Sequence, residues 1–266
     1  MDWGDTAVKR SAVTLLVFGI AFLLFAFTVP PYMTGTLRTL PTDLDFTLTS
    51  TGSRGVTRTE HIRSEPTPKI DEIRINADQT LDTDDGRQLA SISESVTLIG
   101  HSRFPVFEPT ATISGTPVDS ENQTREGLRY FFPANTLRQS YLYYDELLGE
   151  AEYVDYTDRG GDTYIFHQSL DDRRLADGRS YSVDRTLWVD RYSGLVLDRH
   201  ETVTLGDAPT QEFSFTDATR ALMEDWAAET TRGLLVAKVL AFSAKFLGLV
   251  LIGIGLWRTG FLHGKT

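Results

Sequence analysis

Apolar positions along the chain fall into two long terminal runs, with many short alternating ones between them. Residues Ser11 to Val29 read SAVTLLVFGIAFLLFAFTV, nineteen residues without a charge. About twenty apolar residues span a hydrocarbon core of roughly 30 Å. The run is too long for the apolar region of a cleaved signal peptide, usually ~7–15 residues, and Ala26-Phe27-Thr28 is a poor cleavage site. The pattern predicts a retained membrane helix over 11–29. Pro30 and Pro31 are expected to end it, because proline lacks the N–H that the helix ladder needs.

The second run, Leu234 to Trp257, is interrupted by Lys238 and Lys245 but is long enough to span over 233–257. Just before it, DATRALMEDWAAETTR places Ala218, Leu222 and Trp226 at i, i+4 spacing. That predicts a juxtamembrane helix over 216–232, capped by Thr216 or Asp217 and running into the second span.

Between the runs, β-rich segments alternate with turn residues. The predicted strands are 45–49, 72–75, 93–99, 110–113, 128–132, 140–144, 162–168, 180–190, 195–204 and 212–215. Asp190-Arg191-Tyr192-Ser193-Gly194 reads as a hairpin turn, in which Gly194 can take a positive φ without a Cβ clash. Asp78 to Arg87, with four Asp and one Gly, reads as an exposed loop. The segment 30–215 is therefore expected to be a mainly β domain: a curved sheet, a sandwich or a partial barrel, flanked by N- and C-terminal transmembrane helices. Two sub-domains meeting near 115–122 are the alternative, though no internal repeat supports them.

Charge sets the orientation. Lys9 and Arg10 precede the first run, and no base follows it until Arg38. Positive flanks stay cytoplasmic, so residues 1–10 and 258–266 are expected inside and the β domain outside, in a cell membrane crossed twice. The whole chain carries 37 acids and 26 bases, a net charge of −11. From Met33 to Arg232 there are 35 acids against 20 bases, or −15, and Lys69 is the only lysine among those bases. So acidic a surface argues against nucleic acid as a partner. It points to a high-salt setting, where counter-ions screen self-repulsion.

Candidate chemistry is sparse. No cysteine is present, which excludes disulfides, thiolate metal sites and thiol nucleophiles. His61, His101, His167, His200 and His263 lack metal-ligand spacing, and no HExxH, G-x-S-x-G or phosphate-binding glycine loop occurs. Asp82-Thr83-Asp84-Asp85-Gly86 lacks both the spacing and the twelfth-position Glu of a calcium loop. No catalytic residue, metal or cofactor is expected, and the chain reads as a non-enzyme. Asn122-Gln123-Thr124 is a glycosylation sequon in a polar, turn-rich stretch. The aromatic runs Tyr130-Phe131-Phe132 and Tyr141-Leu142-Tyr143-Tyr144 read as sheet packing, with an apolar pocket as the alternative.

Inside the second span, Lys238, Ala241, Lys245, Gly248, Ile252 and Gly255 share one helical stripe. Gly248 and Gly255 would let the first span approach closely, with Phe18, Phe22 and Phe25 as its facing side. Lys245 finds no acid on the first span. It is expected to snorkel to headgroups, or else to meet a partner's acid or line a shared pore.

The segment YFFPANTLRQSYLYYDELLGEAEYVDY (130–156), then Thr163 to Gln168, then YSVDRTLWVDRYSG (181–194) resemble the PorA-type porin family. The resemblance is strongest in Arg185-Thr186-Leu187-Trp188-Val189-Asp190, and it extends to the layout of two terminal spans around a β-rich domain. It implies a membrane protein and carries no catalytic residue over to this chain. The expected function is a non-enzymatic envelope protein that binds a partner or lipid or supports the cell surface. An oligomeric channel and a lipid-handling ectodomain are the alternatives. The expected partners are the bilayer and, beside it, another membrane protein or further copies of the chain.

Overall fold

A computed structural model describes residues 3–259. Of the expected inner ends, 1–10 and 258–266, residues 1–2 and 260–266 lie outside that range, His263 and Lys265 included. The elements are α1 (Trp3–Arg38), β1 (Asp45–Gly52), β2 (Val56–Pro66), β3 (Glu72–Thr83), β4 (Gln88–Ile99), β5 (Pro109–Ser114), β6 (Ser120–Thr124), β7 (Tyr141–Asp145), β8 (Glu150–Gly160), β9 (Thr163–Arg174), β10 (Ser180–Asp190), β11 (Val196–Leu205), β12 (Gln211–Phe215) and α2 (Asp217–Arg258). The chain forms two compact units. One runs from Arg38 to Thr230, and the other joins α1 up to Leu37 with α2 from Thr231.

The larger unit is one antiparallel sheet of twelve strands in the order β6-β5-β4-β3-β2-β1-β12-β11-β10-β9-β8-β7. The order follows the chain except at β1–β12, where the first strand pairs with the last. That single closure places 115–122 inside the sheet, at the turn from β5 to β6, rather than at a boundary between sub-domains. The sheet is not closed, and β6 and β7 are its edges. It is strongly curved: Tyr144 of β7 packs in one cluster with Ile92 of β4 and Ile113 of β5. Across the gap between the edges, the Gln123 amide donates to the Tyr144 hydroxyl at 3.3 Å.

The concave face holds the core. Along β10, Tyr181, Val183, Leu187 and Val189 point inward at every second position. Phe132, Tyr141 and Phe166 meet with ring centroids 4.8–5.8 Å apart, in the geometry aromatic pairs favour. The start of α2 seals this face. Thr216 accepts the Thr219 N–H as an N-cap, and Thr219 in turn bonds both the N–H and the C=O of Thr49 on β1. Trp226 then packs edge-on to Phe46 and Phe131.

The strands depart from the sequence pattern in three places. Residues 128–132 make only isolated bridges, Leu128 to Tyr143 and Phe131 to Leu195, because this segment is buried against the concave face instead of joining a ladder. The expected loop 78–87 is mostly strand: Asp78 pairs with Arg63 at 2.7 Å and accepts from Ser93 at 2.8 Å on the two neighbouring strands. The charged segments 56–66 and 150–160, for which no strand was expected, are β2 and β8.

In the smaller unit, Pro30 and Pro31 do not end the first helix, which continues to Arg38. The Thr28 hydroxyl donates back to the Leu24 carbonyl at 2.8 Å and Thr34 to Pro30 at 2.9 Å. The prolines remove only the two ladder bonds that would end on the Ala26 and Phe27 carbonyls, and the rest of the ladder carries the helix through them, as membrane helices tolerate. α2 is unbroken for 42 residues, about 63 Å at 1.5 Å per residue. Both helices contain stretches long and apolar enough to cross a bilayer, and only 17% of each apolar window is buried. That fraction separates them from the core helix of a water-soluble protein.

Candidate functional site

The two spans pack as an antiparallel pair. On α1 the buried positions Ala12, Gly19 and Ala26 recur every seven residues. On α2 the matching face carries Gly233, Ala237, Ala244, Gly248 and Gly255. A Cβ placed on Gly248 would lie 2.9 Å from the Gly19 carbonyl oxygen, and one on Gly255 would lie 2.8 Å from Leu16. Backbones this close need residues without bulk. Gly248 and Gly255 therefore face α1, but Phe18, Phe22 and Phe25 do not face α2. They are exposed, and the small residues of α1 form the contact because phenylalanines would hold the helices apart. Lys238 is exposed. Lys245 sets its ammonium 4.9 Å from the Phe27 ring centroid, a cation–π contact in place of an acid.

Within the β unit the distinctive feature is a belt of charge on the concave face. Five arginines (58, 125, 129, 185 and 199) and five acids (Glu60, Glu94, Asp145, Glu146 and Glu201) meet there. Arg199 of β11 pairs with Glu60 of β2, and Arg58 of β2 pairs with Glu201 of β11. Arg185 reaches Asp145 at 2.7 Å and Glu201 at 3.2 Å, while the Tyr181 hydroxyl donates to Asp145 at 2.8 Å. Arg129 pairs with Glu146 and lies 3.9 Å from Glu60 and 3.7 Å from Glu94. Arg125 meets Glu94 at 2.8 Å and lies over the Tyr144 ring at 4.4 Å. The Tyr130 hydroxyl donates to Glu94. Arg58 and Arg199 lie over Phe213 and Phe215 at 4.7 and 4.8 Å.

Charges compensate one to one, as burial of ions demands. Burial would raise the Glu60 pKa, but Arg199, Arg58 and Arg129 outweigh it and hold the carboxyl below its ordinary range. Glu201 is likewise held down against burial, by Arg58, Arg199 and Arg185. Burial, reinforced by Glu94, raises the Tyr130 phenol well above its ordinary value, and burial with Asp145 does the same to Tyr181. A narrow cleft lined by Glu60, Glu94, Arg129, Tyr130 and Glu146 has room for about one water molecule. Among the described residues no group of three or more His, Asp or Glu is placed to hold a metal ion.

The 185–190 motif has a structural meaning in this frame. Arg185 enters the charge belt, Leu187 and Val189 enter the apolar core, and Thr186 lies between them on the outward side. Trp188 also faces outward, packed on His200 at 4.8 Å. Asp190 closes the hairpin by accepting the Ser193 N–H and hydroxyl, both at 2.6 Å. Gly194 in that turn has φ +71°, and a Cβ there would run into the Phe132 carbonyl. Asn122 is exposed on the edge strand β6, with a left-handed backbone (φ +55°). His61, His167 and His200 sit beside single aspartates on the outer surface.

Sequence reasoning missed the charge belt. The available signal was phase: Arg58 and Glu60 alternate in step with Val56 and Ile62, and Arg185 in step with Val183 and Leu187, so all share the inward face. The near-exclusive use of arginine was a second signal, because its planar fork suits buried pairing.

An open β sheet joined at both ends to apolar, mostly uncovered helices defines a membrane protein with one folded β domain. The model of the family described as Porin PorA matches residues 11–257, nearly the whole chain, and the chain belongs to that family. No curated protein matches the chain.

Proposed function

We propose that this porin-family membrane protein is a non-enzymatic envelope protein. Both ends are cytoplasmic, and the β domain is displayed outside the membrane to act through its surface. One observation carries the reading: the concave face of the sheet is filled by matched ion pairs and stacked aromatic rings. That interior supports rigidity instead of passage. Tyr130 and Tyr141, which a lipid tunnel would expose, are used in the charge belt and the aromatic core. The helix pair supports the same reading, because its small residues bring the backbones into contact and leave no lumen inside one chain.

A channel built from several copies is the second reading. Family membership favours it, as do Lys238 and Lys245 in the second span. The test is the full chain reconstituted in planar bilayers, with its copy number read by native mass spectrometry after extraction in high salt. A monomer without conductance supports the surface role. A homo-oligomer whose conductance changes with Lys245→Leu overturns it in favour of the channel.

A further inference from the structure

The β domain leaves large apolar side chains uncovered at one rim. Ile70, in the β2–β3 turn, is 100% exposed, and Phe107, in the β4–β5 loop, is 85% exposed. The two loops are tied together: the Lys69 ammonium bridges to Glu108 at 2.9 Å, and the Gly100 N–H donates to the Asp71 carbonyl at 2.7 Å. Leu137 lies on the same rim, because the Asn135 N–H donates to Tyr192 in the β10–β11 hairpin.

This rim is also where the chain enters and leaves the domain. The Leu40 N–H donates to the Gly100 carbonyl at 3.1 Å, which fixes the entry beside the Phe107 loop. The exit follows Trp226, packed on Phe46 near the same end of β1, and Thr230 is one helical turn further on. Leu37 and Thr231 are the first residues of the helical unit on these two connections. The charge of the rim fits too. Its turns (39–44, 66–72, 100–108, 133–140, 159–163 and 190–195) hold five bases against six acids, so they escape the −15 of the domain. An uncovered apolar patch of this kind marks an interaction surface, and short chain connections to two spans name the surface it meets.

We propose that this rim docks on the lipid leaflet its own spans cross, with Ile70, Phe107 and Leu137 inserted at the headgroup level. The inference rests on the membrane-spanning reading of α1 and α2.

The chain has no cysteine, so single cysteines report without background. Ile70→Cys, Phe107→Cys, Leu89→Cys (an exposed site at the opposite rim) and Leu249→Cys (within α2) are each labelled with an environment-sensitive dye, in full-length protein in nanodiscs. Lipids carrying a bromine near the headgroup or deep in the chain serve as quenchers. The expected result is blue-shifted emission at 70 and 107, quenched by the shallow bromine, with the 89 label unaffected and the 249 label quenched by the deep one. A quenched 249 label with water-exposed 70 and 107 labels overturns the docking alone. An unquenched 249 label overturns the membrane-spanning reading beneath it. Blue-shifted 70 and 107 labels that resist lipid quenching and appear only in discs holding two copies overturn it in favour of a contact between chains.

Discussion

Arg199 of β11 and Glu60 of β2 form an ion pair across two intervening strands, β1 and β12, on the concave face of the sheet. Each is more than nine-tenths buried. Removing one partner strands the other charge, which costs about 3–5 kcal/mol, whereas replacing both with apolar residues of similar volume is far milder. Glu60→Leu and Arg199→Met should each lower the unfolding midpoint of the β domain sharply, and the double variant should recover most of the loss. Denaturant titrations of the full chain, followed by tryptophan fluorescence, to which Trp188 and Trp226 of the β domain contribute, check this. Additive losses in the double variant would show that the two residues act independently.

The same belt sets a pH window. Glu60 and Glu201 have folded pKa values below their unfolded value of about 4.3. Depressed carboxyls contribute stability above the unfolded value and lose it as pH falls through the folded one. Tyr130 and Tyr181 are shifted the other way, so their contribution is full below about 10 and is lost as pH rises beyond it. Thermal midpoints should be level between these limits and fall on both sides. In Glu60→Gln the acid-side fall should shrink while the alkaline side stays.

How far the chain could be read depended on what each residue's partner was. β10 was legible end to end, because its apolar positions alternate and Gly194 marks its turn. The cap was legible as Thr216 or Asp217 from their place before an i, i+4 stripe, and the structure gives it to Thr216. β2 was not, since Arg58, Glu60 and Arg63 look like solvated residues until their partners on β11 and β3 are known. The prolines misled because each removes one backbone N–H and no more, and the helix runs on through both to Arg38. The facing surface of α1 was misread by weighing bulk over closeness. Ala12, Gly19 and Ala26 carried the periodic signal, and the phenylalanines did not.

The helix pair yields a direct steric prediction. Nothing as large as leucine fits at Gly248, where even a Cβ meets the Gly19 carbonyl and Leu23 at 2.9 Å. Overpacking of this kind costs roughly 1–3 kcal/mol. Gly248→Leu should separate the spans without disturbing the sheet. A short bismaleimide linking Ser11→Cys to Arg258→Cys, whose parent side chains meet at 3.3 Å, reads the separation as a loss of cross-linking. Val250→Leu, on an exposed face of α2, should leave the yield unchanged.

Salt acts on the β domain by a different route from pH. The buried belt is neutral and shielded from solvent, so added ions change it little. The surface is another matter: Asp82, Asp84 and Asp85 crowd one turn, and Asp171 and Asp172 are adjacent near another. Within a domain at −15, exposed carboxylates about 10 Å apart repel at 0.1 M salt and are largely screened at 1 M, where the Debye length is about 3 Å. The thermal midpoint should therefore climb with potassium chloride up to about 1 M and then flatten. Replacing Asp84 and Asp171, both exposed, by Asn should raise the low-salt midpoint and reduce the climb, while Glu60→Leu should lower the whole curve without changing its slope. Measuring the three curves by differential scanning fluorimetry separates the surface field from the buried pairs. A midpoint that is flat in salt would remove the link between this composition and a high-salt setting.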